Sequence, residues 1–146
     1  MNQDNKDYFQ GKGIKVGNVR CLSSRDALSF LQDSAVLVDI RKEYEINYRL
    51  FDVPEVIYST PDQLEEALQA VPNETPLIVA DNVGVRSKDV AVFLMEKGFA
   101  NTASLTGGIV EWVKSGSPVK IDRDFELNGQ CSCKLKPRKR AKKMGC

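Results

Sequence analysis

Short apolar runs alternate along this chain with stretches in which apolar side chains return every three or four positions. "VGNVRCLS" (16–23) alternates β-branched and polar residues and predicts a strand. "SSRDALSFLQDS" follows, with Ser23 or Ser24 placed to cap a helix that carries Ala27, Leu28 and Leu31 at helical spacing. "AVLVDI" (35–40) is apolar throughout until its acid, the pattern of a strand covered on both faces, and "VPEVIYS" (53–59) predicts a shorter one. "TPDQLEEALQAV" predicts a helix with Thr60 as N-cap, Pro61 in the first turn, and Leu64, Ala67, Leu68 and Val71 on one face. "TPLIVA" (75–80) is the second fully buried strand, and "SKDVAVFLMEKGF" (87–99) is a helix stopped by Gly98. "NTASLTG" (101–107) predicts a strand or extended turn, "GIVEWVKSG" a short helix ended by Gly116, and "SPV" a segment leading out.

Strands that alternate with helices through residues 16 to 117 predict an α/β domain with a mainly parallel central sheet and helices on both faces. In such sheets ligands sit beyond the carboxyl ends of the strands. Two of those ends deliver Asp39 to Arg41 and Asp81 to Arg86, so the two loops are expected to converge. "LIVADNVGVRSKDVAVFL" (77–94) has the layout of a strand, an anion-cradling loop and a helix. The loop comprises Asp81, Asn82, Val83, Gly84, Val85 and Arg86. Its N–H groups are expected to point inward, with Asp81 filling the nest and Arg86 at the far lip pairing with Asp81 or with an acid such as Glu43 or Glu45. Asp39 and Arg41 are expected to form a structural ion pair near a strand end, and Trp112 to pack in the core.

Composition narrows the chemistry. The 146 residues suffice for one domain and a short appendage, and 42% hydrophobic with 28% charged residues fits a globular protein. The sequence has no histidine, which excludes imidazole acid–base catalysis, Ser–His and Cys–His pairs, and imidazole metal ligands. No apolar run approaches a membrane span and the polar N-terminus has no secretory h-region, so a cytoplasmic protein with no membrane association is expected. Cys21 is expected to be an inert buried thiol. The net charge of +1 hides an asymmetry. Residues 131 to 146 carry seven Lys or Arg and no acid; subtracting these from the chain's 21 basic residues leaves 14 against 20 acids, a net of −6 over residues 1 to 130. The expected organisation is a disordered N-terminus over 1–14, one domain over 15–120, and a disordered basic tail over 121–146.

Four separated pieces resemble the rhodanese family in order: "LVDIRKEYE" (37–45), "PLIVADNVGVRS" (76–87), "FLMEKGFANTASLTGGIVEW" (93–112) and "GSPV" (116–119). The resemblance implies a rhodanese-like fold over roughly residues 15 to 120 and a loop that begins, in the family, with a cysteine that becomes a persulfide. Counting back from Gly84 and Arg86, that position is Asp81. The family's His-Ile-Pro-Gly-Ala segment is also replaced, here by "NYRLFDVPEVIY" (47–58). Aspartate can attack phosphoryl groups. The resemblance implies that phosphatase relatives use a loop one residue longer, and no histidine is present to move protons. The expected function is therefore noncatalytic: a binding or regulatory module whose partner is a protein or a small anion, with no cofactor and no metal. The alternative is a sulfur-relay protein using Cys131 and Cys133 of the tail, whose neighbouring cations would lower their thiol pKa. Cys131, Cys133 and Cys146 make an incomplete set for a four-coordinate zinc, and the basic run would bind a polyanion weakly and without base stacking.

Overall fold

The structure is a computed structural model that describes residues 8–46 and 49–121. Its elements are β1 (Ile14–Val16), β2 (Val19–Leu22), α1 (Ser24–Leu31), β3 (Val36–Asp39), α2 (Glu43–Ile46), β4 (Arg49–Phe51), β5 (Val56–Tyr58), α3 (Leu64–Ala67), β6 (Leu77–Ala80), α4 (Arg86–Glu96), β7 (Thr102–Leu105), α5 (Gly108–Lys114) and β8 (Val119–Ile121). The main sheet has the order β1-β2-β7-β6-β3-β5, with every pairing parallel except the β1–β2 hairpin. β4 and β8 form a separate antiparallel ribbon. This is the α/β architecture that the alternating pattern predicts.

The pleat sorts the buried strands between two cores. Ile78 and Ala80 of β6, Leu37 of β3, and Ala103 and Leu105 of β7 face one side, where α1, α5 and the aromatic residues Phe9, Phe30, Phe51 and Trp112 pack. Leu77 and Val79, Val38 and Ile40 face the other, under Leu64 and Leu68 and under Val90, Ala91 and Leu94 of α4. Strands covered on both faces need apolar residues at successive positions, which is why these runs lack alternation. Ser23 caps α1 as predicted, its Oγ accepting the N–H of Asp26 at 3.2 Å.

Four local expectations are corrected. "VGNVRCLS" is a hairpin turn followed by a strand: Gly17, at φ +64°, and Asn18 connect Val16 to its partner Val19. Gly-Asn between β-branched residues is a two-residue turn signal. The expected long helix over "TPDQLEEALQAV" is a 3-10 turn (Pro61–Gln63) and the short α3, and Thr60 makes no side-chain cap. Burying Leu64 and Leu68 needs little more than one helical turn, and nothing beyond it rewards continuation. "SPV" leads into β8, whose pairing with β4 was not legible from either short segment.

The fourth concerns the N-terminus, expected to be disordered to residue 14. Residues 8 to 13 are part of the fold. Phe9 is 2% exposed and meets Phe30 edge-to-face with centroids 5.1 Å apart, while the Tyr8 hydroxyl donates to Asp33 at 2.9 Å. Residues 1–7, and the expected basic tail apart from Ile121, lie outside the described residues. Among the described residues, no helix is long and apolar enough to cross a membrane. Phe9→Ala is expected to destabilise the protein by about 3–5 kcal/mol, the usual cost of emptying a buried phenylalanine site. A lowered urea midpoint checks this; an unchanged midpoint would place Phe9 outside the cooperative unit.

Candidate functional site

The parallel strands end together at one edge of the sheet, and the loops that leave β3, β6 and β7 meet there. β6 delivers Asp81, whose carboxylate is 1% exposed. The following loop turns back around it. The N–H of Gly84 donates to Asp81 Oδ1 at 2.5 Å and the N–H of Arg86 to Oδ2 at 2.8 Å. Arg86 is the first residue of α4, which has no side-chain cap of the usual kind from the residue before it. Asp81 supplies one from five residues away, at the positive end of the helix. The expectation that the loop's N–H groups turn inward onto Asp81 agrees with this geometry. Val83 and Val85 point the other way, and Val85 is 65% exposed.

The loop is held from behind by a second turn. The carbonyls of Asp81 and Asn82 accept the N–H groups of Ile109 and Val110, at 3.0 and 3.2 Å, in the first turn of α5. That approach requires Gly84 and Gly108. A Cβ on Gly108 would collide with the main chain of Asp81 and Asn82, and one on Gly84, at φ +90°, would lie 2.6 Å from the Gly107 nitrogen. Main chain packs directly on main chain here, for which glycine is required. Beneath the loop, the Ser87 and Ser104 hydroxyls share a buried hydrogen bond of 2.7 Å between α4 and β7. Lys88 Nζ donates to the Gly84 carbonyl at 3.0 Å.

The lip is closed by Arg86, whose side chain is 39% exposed. Its Nη2 donates to Glu45 Oε1 at 3.2 Å and its Nε lies 3.9 Å from Asp81 Oδ2. Of the two acids offered by the sequence, the one that reaches the loop is Glu45 rather than Glu43. The same Glu45 oxygen accepts the Lys42 N–H at 2.8 Å, the backward half of a capping box at the start of α2. Partial burial opposes ionisation of Glu45. The Lys42 N–H and the Arg86 guanidinium outweigh it and hold the carboxyl below its ordinary range.

Asp39 and Arg41 form the expected pair, fully buried. Arg41 Nη2 meets Asp39 Oδ2 at 2.7 Å, and its Nε lies 3.0 Å from Oδ1. The pair does not touch the loop. Arg41 instead donates to the carbonyls of Ile46 and Arg49, at 3.4 and 3.0 Å, and its guanidinium sits 5.3 Å from the centre of the Phe51 ring. Burial alone would lower the Arg41 pKa; the Asp39 carboxylate and its hydrogen bond more than reverse this and raise it. Cys21, expected to be buried, is partly buried on β2 and packs against the core under α4. Cys131, Cys133 and Cys146 lie outside the described residues, and among the described residues no group of acids and cysteines could hold a metal ion. From the sequence, Gly107 and Gly108 are expected to permit a tight turn and a close main-chain approach, which the structure bears out; that the approach is to the Asp81 loop, and the Ser87–Ser104 bond, were not legible there.

A mostly parallel sheet whose central strand feeds a six-residue loop, with the Gly84 and Arg86 N–H groups gathered on the Asp81 carboxylate at a helix start, defines the α/β class of this domain. Residues 23–115 match the model of the rhodanese-like domain, and the chain belongs to that family. Among its relatives, the thiosulfate sulfurtransferase GlpE of Haemophilus influenzae is 29% identical over 99 residues, covering 67% of this chain and 91% of the relative. GlpE of Actinobacillus pleuropneumoniae is 33% identical over 88 residues, covering 60% and 80%. A rhodanese-related protein from Thermoplasma volcanium shares the fold with a TM-score of 0.61 at 23% identity, over 70% of this chain and 99% of that one.

Two outcomes follow from this geometry. Arg41→Met should cost about 3–5 kcal/mol in chemical denaturation, because it strands the buried Asp39 carboxylate, whereas Asp39→Leu/Arg41→Met should cost less than the single change. The Glu45–Arg86 contact should be intact at neutral pH. The fold depresses the Glu45 pKa, so the stability it lends is complete above the ordinary glutamate value of about 4.3 and is lost as pH falls through the lower folded value. The carboxyl-carbon titration of Glu45 by NMR should have its midpoint below that ordinary value, and Arg86→Met should move it upward.

Proposed function

We propose that this chain is a noncatalytic binding or regulatory module of the rhodanese-like family, whose anion nest is filled by its own Asp81. The observation that carries this reading is the pair of hydrogen bonds from the Gly84 and Arg86 N–H groups to a carboxylate that is 1% exposed. By the spacing to Gly84 and Arg86, Asp81 stands where the family resemblance puts the sulfur-accepting cysteine. A carboxylate there has no thiol to form a persulfide. It occupies with a permanent negative group the place that a charged sulfur species would occupy transiently. The relatives named as thiosulfate sulfurtransferases share the fold, and this chain would retain the cup while giving up the transfer. Its ligand would be a protein partner or a small anion approaching Arg86 and the exposed loop valines.

A thiosulfate:cyanide assay on the full chain tests this, and background turnover is expected. Turnover lost in Cys131→Ser/Cys133→Ser would replace the proposal with sulfur relay through the tail thiols. Turnover that survives that change but disappears in Asp81→Ala would overturn it in favour of chemistry in the loop. In the same experiment Asp81→Cys serves as a gauge of the nest: its thiol should be alkylated with a pKa below the free-cysteine value of about 8.5.

A further inference from the structure

The end of α4 remote from the Asp81 loop is closed at Gly98. The N–H of Phe99 donates to the Leu94 carbonyl at 3.0 Å and that of Gly98 to the Met95 carbonyl at 3.1 Å, with Gly98 at φ +107°. This is the Schellman way of ending a helix, and it calls for glycine at the positive-φ position. It turns Phe99 inward, into the same core as Leu94. The short α3 buries Leu64 and Leu68 in that core and stops after one turn. A cavity of about 260 Å³, open on one side, lies between α3 and the last turn of α4, floored by Leu64, Leu68, Leu94 and Phe99. The 11 residues of α4, at about 1.5 Å each, set it roughly 15 Å from the loop.

The mouth of the cavity is polar. Lys97 Nζ meets Glu65 Oε2 at 2.7 Å and lies 5.5 Å from the centre of the Phe93 ring, which forms part of the wall. The hydrogen bond to Glu65 and the charge of that carboxylate, with a further contribution from Glu96, hold the Lys97 ammonium above the ordinary lysine range. Two carboxylates therefore act on one cation here. The Lys97 and Glu65 side chains are both exposed, and an exposed pair contributes little to stability, so an incoming cation can take the place of Lys97 at small cost. Opposite, the Asn73 amide stands against Gly98, with its Nδ2 2.7 Å from where a Cβ on that glycine would sit.

Size and charge select the occupant. An apolar cavity of ~150 Å³ holds a benzene, whereas pockets for whole small-molecule ligands run to about 300–1,000 Å³. This cavity suits a single large side chain presented from outside. The Lys97 ammonium shows what the mouth accepts, a cation on Glu65 and over an aromatic face. Arginine meets both demands better than lysine, since its planar guanidinium pairs with a carboxylate through two N–H groups and stacks on rings. We propose that the cavity receives one large apolar side chain of a partner protein, with a neighbouring arginine of that partner replacing Lys97 on Glu65 and over Phe93. This is a second interaction surface, apart from the Asp81 loop, and it stands whether or not the loop is catalytic.

The test titrates the full chain by NMR with the capped dipeptide Phe-Arg, and with capped Phe-Glu and Ala-Arg as counterparts. Phe-Arg should shift the Leu64, Leu68 and Leu94 methyl signals and the Phe93 and Phe99 ring signals, leaving the Val83 and Val85 methyls in place. Phe-Glu and Ala-Arg should each bind at least about tenfold more weakly, the first for want of the cation and the second for want of the buried ring. Glu65→Gln should weaken Phe-Arg binding. Lys97→Ser, which removes the resident cation from an exposed position, should strengthen it. Unmoved cavity signals with Phe-Arg would overturn the proposal, as would equal binding of Ala-Arg or weaker binding by Lys97→Ser. Cavity signals that move when the chain alone is diluted would make a second copy the occupant, and nuclear Overhauser contacts from the cavity to residues outside its lining in the dilute free chain would make a segment of the chain itself the occupant; either result overturns it.

Discussion

The buried pair of Asp39 and Arg41 is the constraint on which the site edge depends. Neither charge can be left without the other away from water, and together they still need further partners. Arg41 finds these in the carbonyls of Ile46 and Arg49 and in the face of Phe51. The segment that follows β3 is thereby folded back over the sheet end. α2 is fixed at its last residue, β4 at its first, and Phe51 is set edge-to-face against Trp112 at 5.2 Å. Glu45 reaches Arg86 because this clamp has already placed the short helix on which it sits. An electrostatic requirement at a strand end thus becomes a geometric one at the lip of a loop that the pair does not touch.

The loop is shaped from the opposite side by the absence of side chains. Gly84 and Gly108 let two turns approach until main-chain carbonyls of one meet main-chain N–H groups of the other. The carbonyls of Asp81 and Asn82 bond outward to α5, and the N–H groups of Gly84 and Arg86 are turned inward to the carboxylate. Each loop group so described has a partner, which is what a buried turn requires. The cup is therefore held by the protein alone and needs no bound ligand to keep its form.

The parts of this arrangement that were legible in the sequence are those determined locally. β3 and β6 declare themselves because burial on both faces demands continuous apolar runs, and Ser23 declares the start of α1. The loop was legible because a strand, a glycine and a helix in that order leave few ways to turn. The rest depended on contacts far apart in the chain. β4 and β8 are three residues each and exist by pairing across about seventy intervening residues, a separation no local pattern records. Phe9 is a single aromatic in a polar stretch, and its burial depends on a slot beside Phe30 formed by the folded sheet. Glu43 and Glu45 are equivalent acids in sequence, and the phase of a four-residue helix decided between them.

What remains available at the edge is set by what the inward groups have already used. With its carboxylate enclosed, Asp81 offers the solvent almost nothing, and its two N–H donors are engaged. The Arg86 side chain retains partial exposure, and Val83 and Val85 are each more than half exposed. Two apolar side chains are therefore displayed on the loop, beside a cation paired with Glu45. In water that display is unfavourable by about 25 cal/mol for each square ångström of apolar surface that an occupant would cover. A carboxylate at position 81 thus works in two directions at once. It satisfies the interior of the loop, and it leaves Arg86 and the two valines as the groups of the loop that solvent still reaches.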